Sequence, residues 1–262
     1  MPNQAIHDVM VWAGVHGEEH DPGVELVWSL GKYLLAMEGC TIDAAIANPR
    51  AFAVASRQID VNLALVLQNP WDYEAYRSIN PGMTLPDGVH RPWGRPDYER
   101  TLVPGLIRRS WGKDLIVDMH QNLWEGHQED CAWVGPSVRP YVLGFIALCG
   151  ITNVLVCDGG FQGYFPEAVL MDIYTESCRN NVAFWRDKLS RALREGLATP
   201  SLEDFKFYAQ GDLSTAASLS LKGGPFEPLK EEVPHAAELF NVDRPVYSLL
   251  GGSREFVTPL AD

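Results

Sequence analysis

His16 and Glu19 stand close together in the segment Gly14-Val15-His16-Gly17-Glu18-Glu19. An imidazole and a carboxylate at that spacing in a turn can face one cation, and both are ordinary zinc ligands. A catalytic zinc takes three protein ligands and leaves one position open, so a third donor has to come from elsewhere. The best candidate is His120, at the end of Asp114-Leu115-Ile116-Val117-Asp118-Met119-His120. Taken alone, a His-x-x-Glu is most simply a hydrogen-bonded loop pair. A second histidine at the end of a second apolar strand shifts the balance, because open α/β sheets bind ligands at the carboxyl ends of their strands.

The elements that would carry these groups follow from periodicity. Residues 8–15 alternate and then run apolar, which predicts a buried strand ending in the His16 turn. From Gly23 to Met37, Val24, Val27, Leu30, Leu34 and Leu35 recur at helical spacing, so this helix packs one face on a sheet. Thr41 to Ala47 reads as the next strand, ended by Asn48-Pro49, since proline cannot continue a regular ladder. Asp97 to Arg109 reads as a helix with Leu102, Leu106 and Ile107 inward, although Pro104 and Gly105 sit inside it. The strand bearing His120 follows, then an irregular stretch over 122–136, a helix over 138–149, a short strand over 153–157, a glycine-rich loop over 158–166 and a strand over 168–175. Asn180 to Gly196 is an amphipathic helix, with Val182, Trp185, Leu189 and Leu193 on one side and Gly196 as its stop.

Strands alternating with helices predict an α/β fold: a mixed, mostly parallel sheet with helices on both faces. After Pro200 short apolar runs are broken by Gly and Pro clusters. The expected organisation is therefore an α/β domain over 1–199 and a small β-rich region over 200–262. The Pro-, Trp- and Tyr-rich segment 69–97 is long enough to be a functional or covering loop. Trp71, Tyr73, Trp93 and Trp124 fall in loops, where they either line a pocket or cover the sheet.

Bulk properties narrow the partners. A 262-residue chain that is 46% hydrophobic can bury a full core. A formal net charge of −13 argues against nucleic acid or an anionic membrane, which call for basic patches. No apolar run approaches the roughly 20 residues of a membrane span, and no basic segment followed by an apolar one marks a secretory signal. The 5 cysteines are odd in number and form no Cys-x-x-Cys pair, which fits reduced thiols and a cytoplasmic location. The sequence leaves homo-oligomerisation open.

Three blocks in order resemble the aspartoacylase and succinylglutamate desuccinylase family, zinc-dependent amide hydrolases related in fold to zinc carboxypeptidases. Gly14-Val15-His16-Gly17-Glu18-Glu19 is similar to the family's Gly-x-His-Gly-x-Glu motif. Asn48-Pro49-Arg50-Ala51, continuing through Arg57-Gln58-Ile59-Asp60-Val61-Asn62-Leu63, is similar to its Asn-Pro-x-Ala and Arg-x-x-Asp-x-x-Leu segment. Asp118-Met119-His120 is similar to its Asp-Leu-His motif, and Ala168-Val169-Leu170-Met171-Asp172 is a weaker match to a later strand. The resemblance implies that His16, Glu19 and His120 hold one Zn²⁺ per chain, and that Arg57 stabilises the developing oxyanion. It implies a small N-acyl amino acid, or a related compound, as the substrate.

Two departures qualify it. Where the family has an Asn-Arg pair that grips a substrate carboxylate, this chain has Ala64-Leu65, and leucine cannot make the forked hydrogen bonds of a guanidinium. Either another basic residue takes that part, with Arg77, Arg91 and Arg95 of the long loop as candidates, or the substrate lacks that carboxylate, or activity is impaired. The family's general base is a glutamate at the end of an apolar strand, where the match places Asp172, one methylene shorter. Glu176, four residues on, has the full length, and proton transfer depends on reach, so both stay open. Two alternatives stand beside the hydrolase: a metallocarboxypeptidase acting on peptides, and a metal-binding relative that has lost activity and serves as a binding or regulatory module. His20 and Asp21 read as outer hydrogen-bond partners of the first motif. His127, with Glu125 and Glu129, reads as a solvated acidic loop.

Overall fold

The computed structural model of the chain describes residues 3–32, 39–68, 97–122, 129–157, 160–210, 220–221, 224–225 and 246–248. Its centre is β1 (Asp8–Ala13), buried from Val9 onward. Val9, Val11 and Ala13 join one apolar cluster, while Met10 and Trp12 join another. A strand buried on both sides reads as a continuous apolar run, as this one does.

β1 pairs in parallel with β2 (Thr41–Ile46) on one side and with β3 (Leu115–Asn122) on the other. β6 (Ala168–Tyr174) pairs in parallel with β3. Direction then reverses: β4 (Cys131–Val134) lies antiparallel to β6, and β5 (Asn153–Val156) and β7 (Lys206–Gln210) follow parallel to β4. β10 (Val246–Ser248) closes the row antiparallel to β7, giving the order β10-β7-β5-β4-β6-β3-β1-β2. One edge of this sheet therefore carries the carboxyl ends of β1, β3 and β6 beside the amino ends of β4 and β5. β8 (Ser220–Leu221) and β9 (Gly224–Pro225) form a separate two-stranded pair.

Helices cover both faces. α1 (Gly23–Lys32), α5 (Pro140–Leu148) and α7 (Val182–Glu195) contribute Val24, Phe145, Trp185 and Leu189 to the cluster under Val9 and Val11. α3 (Leu63–Gln68), α4 (Tyr98–Ser110) and α6 (Gly160–Tyr164) contribute Leu63, Leu67, Val103, Leu106 and Phe161 to the cluster around Trp12. Each such side chain removed from water stabilises the fold by about 1.5–3 kcal/mol before ordering costs. α7 is capped at both ends: the Asn181 side chain accepts from Phe184 N, and Gly196 stops it at φ 68°. α4 continues through Pro104, which is exposed, because Val103 and Leu106 anchor its inner face.

Several expectations change. The glycine-rich loop expected at 158–166 holds the short helix α6. The stretch expected to be irregular at 122–136 holds β4, four residues too short to display a period. The strand expected over 8–15 ends at Ala13, where Gly14 turns left-handed. α2 (Pro49–Ala53) starts at the proline that ends β2; proline suits a first helical turn, and the Asn48 side chain caps it. β7 and β10 belong to the main sheet, although they follow the change of texture at Pro200. Residues 33–37 of the expected first helix lie outside the described residues, as do Trp71, Tyr73, Arg77, Arg91, Trp93, Arg95, Trp124, Glu125 and His127.

Candidate metal centre

β1 hands its chain to a turn that needs two glycines. Gly14 sits at φ +62°, where a side chain would be strained and a Cβ would also press on Ile46 Cγ2 at 3.2 Å. A Cβ on Gly17 would come within 2.1 Å of the Ala51 carbonyl carbon, so glycine is what lets the turn lie against α2. Glu19 N donates to His16 O, closing the turn and bringing the two side chains together. His120 arrives separately, on β3. Strand alternation puts it with Asp118 and Ile116 on the Trp12 side of the sheet, at the end where β1 delivers His16.

The three groups converge. Glu19 Oε1 lies 2.6 Å from His16 Nδ1, and Glu19 Oε2 lies 3.0 Å from His120 Nδ1. The imidazole rings meet edge to face with centroids 5.1 Å apart. One donor atom from each residue falls within 4.8 Å of the others. His16, Glu19 and His120 are 5%, 7% and 6% exposed. Among the described residues this is the one group of three His, Cys, Asp or Glu with such geometry.

The far side of each ring fixes its tautomer. His16 Nε2 is 3.1 Å from Asn62 Oδ1, and His120 Nε2 is 3.2 Å from Asp118 Oδ2. Asn62 Oδ1 also accepts from Ala64 N at 2.9 Å, which assigns it as the oxygen. Both partners can only accept, so each Nε2 donates and, in a neutral ring, each Nδ1 presents its lone pair to Glu19. Lone pairs facing a carboxylate at such distances require a shared cation, either a proton or a metal. Glu19 Oε2 is buried and has no aligned hydrogen bond despite its nearness to His120. Two imidazole nitrogens and a carboxylate oxygen, backed by outer acceptors, fit zinc.

The electrostatics express the same demand. Burial pushes the Glu19 carboxyl up, but His120 and His16 outweigh it and hold the group well below the usual carboxylate range. Burial pulls His120 down, and Asp118 and Glu19 together raise it well above its ordinary value. Positive charge is thus favoured at the point where the three side chains meet.

Asp172 is the register partner of His120 across β3 and β6, so both project from the same face. It is partly buried, and desolvation pushes its carboxyl up to about 7; His120 and Arg57 oppose the shift, while Glu19 and Asp130 add to it. Glu176 lies beyond the end of β6, exposed in a turn. It lines a cleft of about 450 Å³ with Glu129, Asp130, Tyr174 and Arg179. Arg57 stands beside the His16-Glu19-His120 group with Nη1 3.0 Å from Glu18 Oε1 and 3.9 Å from Glu19 Oε1, its side chain 41% exposed. The backbone N–H groups of His20 and Asp21 are held by Gln121 Oε1, and the His20 ring rests on Phe52. Ala64 sits in the first turn of α3.

Asn62, Asp118 and Glu99 do not stand out by residue type in the sequence. The alternation that places Asp118 beside His120 was readable from the strand. The reach of Asn62 to His16, across 46 positions, was not.

These features define a class: a mixed α/β sheet with a buried His-Glu-His group at the carboxyl ends of its parallel strands. Among solved structures the chain is similar to the succinylglutamate desuccinylase from Chromobacterium violaceum, with a TM-score of 0.55 and 15% identity over 95% of this chain and 81% of that one. It is also similar to the succinylglutamate desuccinylase from Vibrio parahaemolyticus, with a TM-score of 0.56 and 16% identity over 81% of this chain but 64% of that one. Murine aminoacylase 3 gives a TM-score of 0.50 and 16% identity over 95% of this chain and 86% of that one. At such identities the likeness is one of fold: the chain has the fold of the succinylglutamate desuccinylase and aspartoacylase structures. No protein-family model and no curated protein matches the sequence.

Proposed function

We propose that the protein is a zinc-dependent hydrolase of the aspartoacylase and succinylglutamate desuccinylase family that cleaves the amide bond of a small N-acyl amino acid or related compound. The observation that carries this reading is the convergence of His16 Nδ1, His120 Nδ1 and the Glu19 carboxylate, with both outer ring nitrogens anchored. His16, Glu19 and His120 would hold one zinc ion. When bound, that ion supplies Lewis-acid polarisation of the carbonyl and a lowered pKa for water.

The chain's own residues supply the remainder. Asp172 takes the proton of the attacking water and returns it to the leaving nitrogen, a task a carboxylate at the same face as His120 can perform. Its place in register with His120 favours it over Glu176, which faces the neighbouring cleft. Arg57 stabilises the negative charge that develops on the carbonyl oxygen, and Glu18 orients its guanidinium. The buried position of the centre limits competing water and strengthens these interactions.

The reading extends to a cytoplasmic location, to a 1–199 hydrolase unit and to a 200–262 region whose β7 strand is lodged in the hydrolase sheet. Among the described residues no helix is long and apolar enough to cross a membrane. A metal-binding module without turnover is the second reading, supported by Ala64-Leu65 standing where the family's carboxylate-gripping pair is expected. Zinc content measured by mass spectrometry, together with turnover on a panel of N-succinyl and N-acetyl amino acids, tests both. One zinc per chain with cleavage of a panel member supports the hydrolase. One zinc with no cleavage supports the module, and no zinc overturns both.

A further inference from the structure

We infer that Glu99 is a positioning residue for this site, acting through the loop that carries Arg57 and Asn62. Glu99 lies in the first turn of α4 and is fully buried, at 0% exposed. Its carboxylate accepts four N–H groups: Asn48 Nδ2 at 3.2 Å and Ile59 N at 2.6 Å on Oε1, and Asp60 N and Val61 N, each at 3.1 Å, on Oε2. Residues 57–62 belong to no helix or strand. Three consecutive amides therefore depend on one side chain for their acceptor, and a buried amide left without one is costly.

The clasp is reciprocal. Asp60 Oδ2 accepts from Tyr98 N, tying the loop back to the start of α4. Asn48 gives its amide to Glu99 while its own Oδ1 caps α2 and its backbone N donates to Gly14 O. On the other side of the loop, Arg57 O accepts from Gly17 N, and Asn62 Oδ1 holds His16 Nε2. A circuit thus runs from Gly14 through Asn48, Glu99 and residues 59–61 to the two side chains that flank the metal ligands. Glu99 closes it without touching a ligand.

The activity readout of this inference rests on the hydrolase reading; a metal-affinity readout does not. A glutamine at position 99 has the right shape but replaces one acceptor oxygen with an N–H₂ that faces backbone donors. The test compares zinc-loaded wild type, Glu99→Gln, Glu99→Asp, Arg57→Ala and the Arg57→Ala/Glu99→Gln double variant. Glu99→Gln is expected to lower kcat per zinc-loaded folded chain ~10- to 100-fold, with KM little changed, and to weaken zinc in chelator competition ~10-fold through the loss of Asn62 behind His16. In the Arg57→Ala background the same substitution should cost less than about threefold in kcat, because interactions made through a shared partner do not add.

An equal kcat loss in both backgrounds with zinc affinity unchanged, or a lowered Tm with kcat per zinc and zinc affinity both unchanged, overturns the inference and leaves Glu99 an anchor of α4 alone. Glu99→Asp keeps the charge but withdraws it by one methylene, so its losses should fall between wild type and Glu99→Gln. If Glu99→Gln does not fold, the same criteria are applied to Glu99→Asp. If wild type binds zinc but cleaves no panel member, the hydrolase reading fails and the affinity arm decides: weaker zinc in Glu99→Gln sustains the inference, and unchanged affinity overturns it.

Discussion

Two carboxylates at the same edge of the sheet have opposite fates. Asp130, at the amino end of β4, accepts from Tyr174 N, Ser177 Oγ and Arg179 Nη1, and Arg179 spends its other nitrogens on the carbonyls of Cys149 and Gly150. Every charge there is answered inside the protein. Glu19, in the turn after β1, faces two imidazole nitrogens, His16 Nδ1 at 2.6 Å from Oε1 and His120 Nδ1 at 3.0 Å from Oε2, and its Oε2 has no aligned donor. A saturated carboxylate is a structural joint. A buried one facing two imidazole nitrogens offers the donor set of a cation site.

The sharpest break in that contrast comes from the ligands. His120→Ala should abolish zinc binding and lower turnover by roughly 10³-fold or more, several kcal/mol of Lewis-acid stabilisation converted at 1.36 kcal/mol per tenfold. Zinc content and kcat on one cleaved substrate read both effects. Next in size, Asp172→Asn should retain zinc and lose ~10²- to 10⁴-fold in kcat, the usual span for a general base. Glu176→Gln should stay within about threefold of wild type, as a residue of the neighbouring cleft would; the reverse ranking would move the base to Glu176.

The joint answers differently. Arg179→Ala takes the counter-charge from the buried Asp130 and leaves it only the Tyr174 N and Ser177 Oγ donors, so it should cost about 3 kcal/mol in denaturant unfolding, at the low end for such pairs because those donors remain and Arg179 is partly exposed. Zinc per folded chain should not change. The smallest effect is the pH dependence of the metal-free protein. The Asp172 carboxyl lies near 7 in the folded chain, above its unfolded value of about 4. Its contribution to stability is therefore complete below about pH 4 and is lost as pH rises through about 7. Asp172→Asn should flatten that decline in a Tm-against-pH series, and an unchanged slope would remove Asp172 as its source.

Much of the fold was legible, and the reasons differ by element. β1 and β3 announced themselves as apolar runs because they are buried on both faces, and α7 did so because one face is buried and both ends are capped. β4 was missed since four residues show no period, and α6 was hidden by glycines that read as a loop. β7 looked like part of an appendage because its flanks are rich in Gly and Pro, yet its backbone pairs with β5. At the site, His16, Glu19 and His120 stood out by residue type at strand ends. The places of Asn62 and Glu99 follow from contacts across 46 and 40 positions, which no local pattern encodes.

Zinc K-edge X-ray absorption on the loaded protein tests the central claim most directly. The account predicts nitrogen and oxygen scatterers at about 2.0–2.2 Å, with the outer-shell pattern of two imidazoles and no sulfur. A shell near 2.3 Å from cysteine sulfur, or an oxygen-only shell without imidazole scattering, would contradict it.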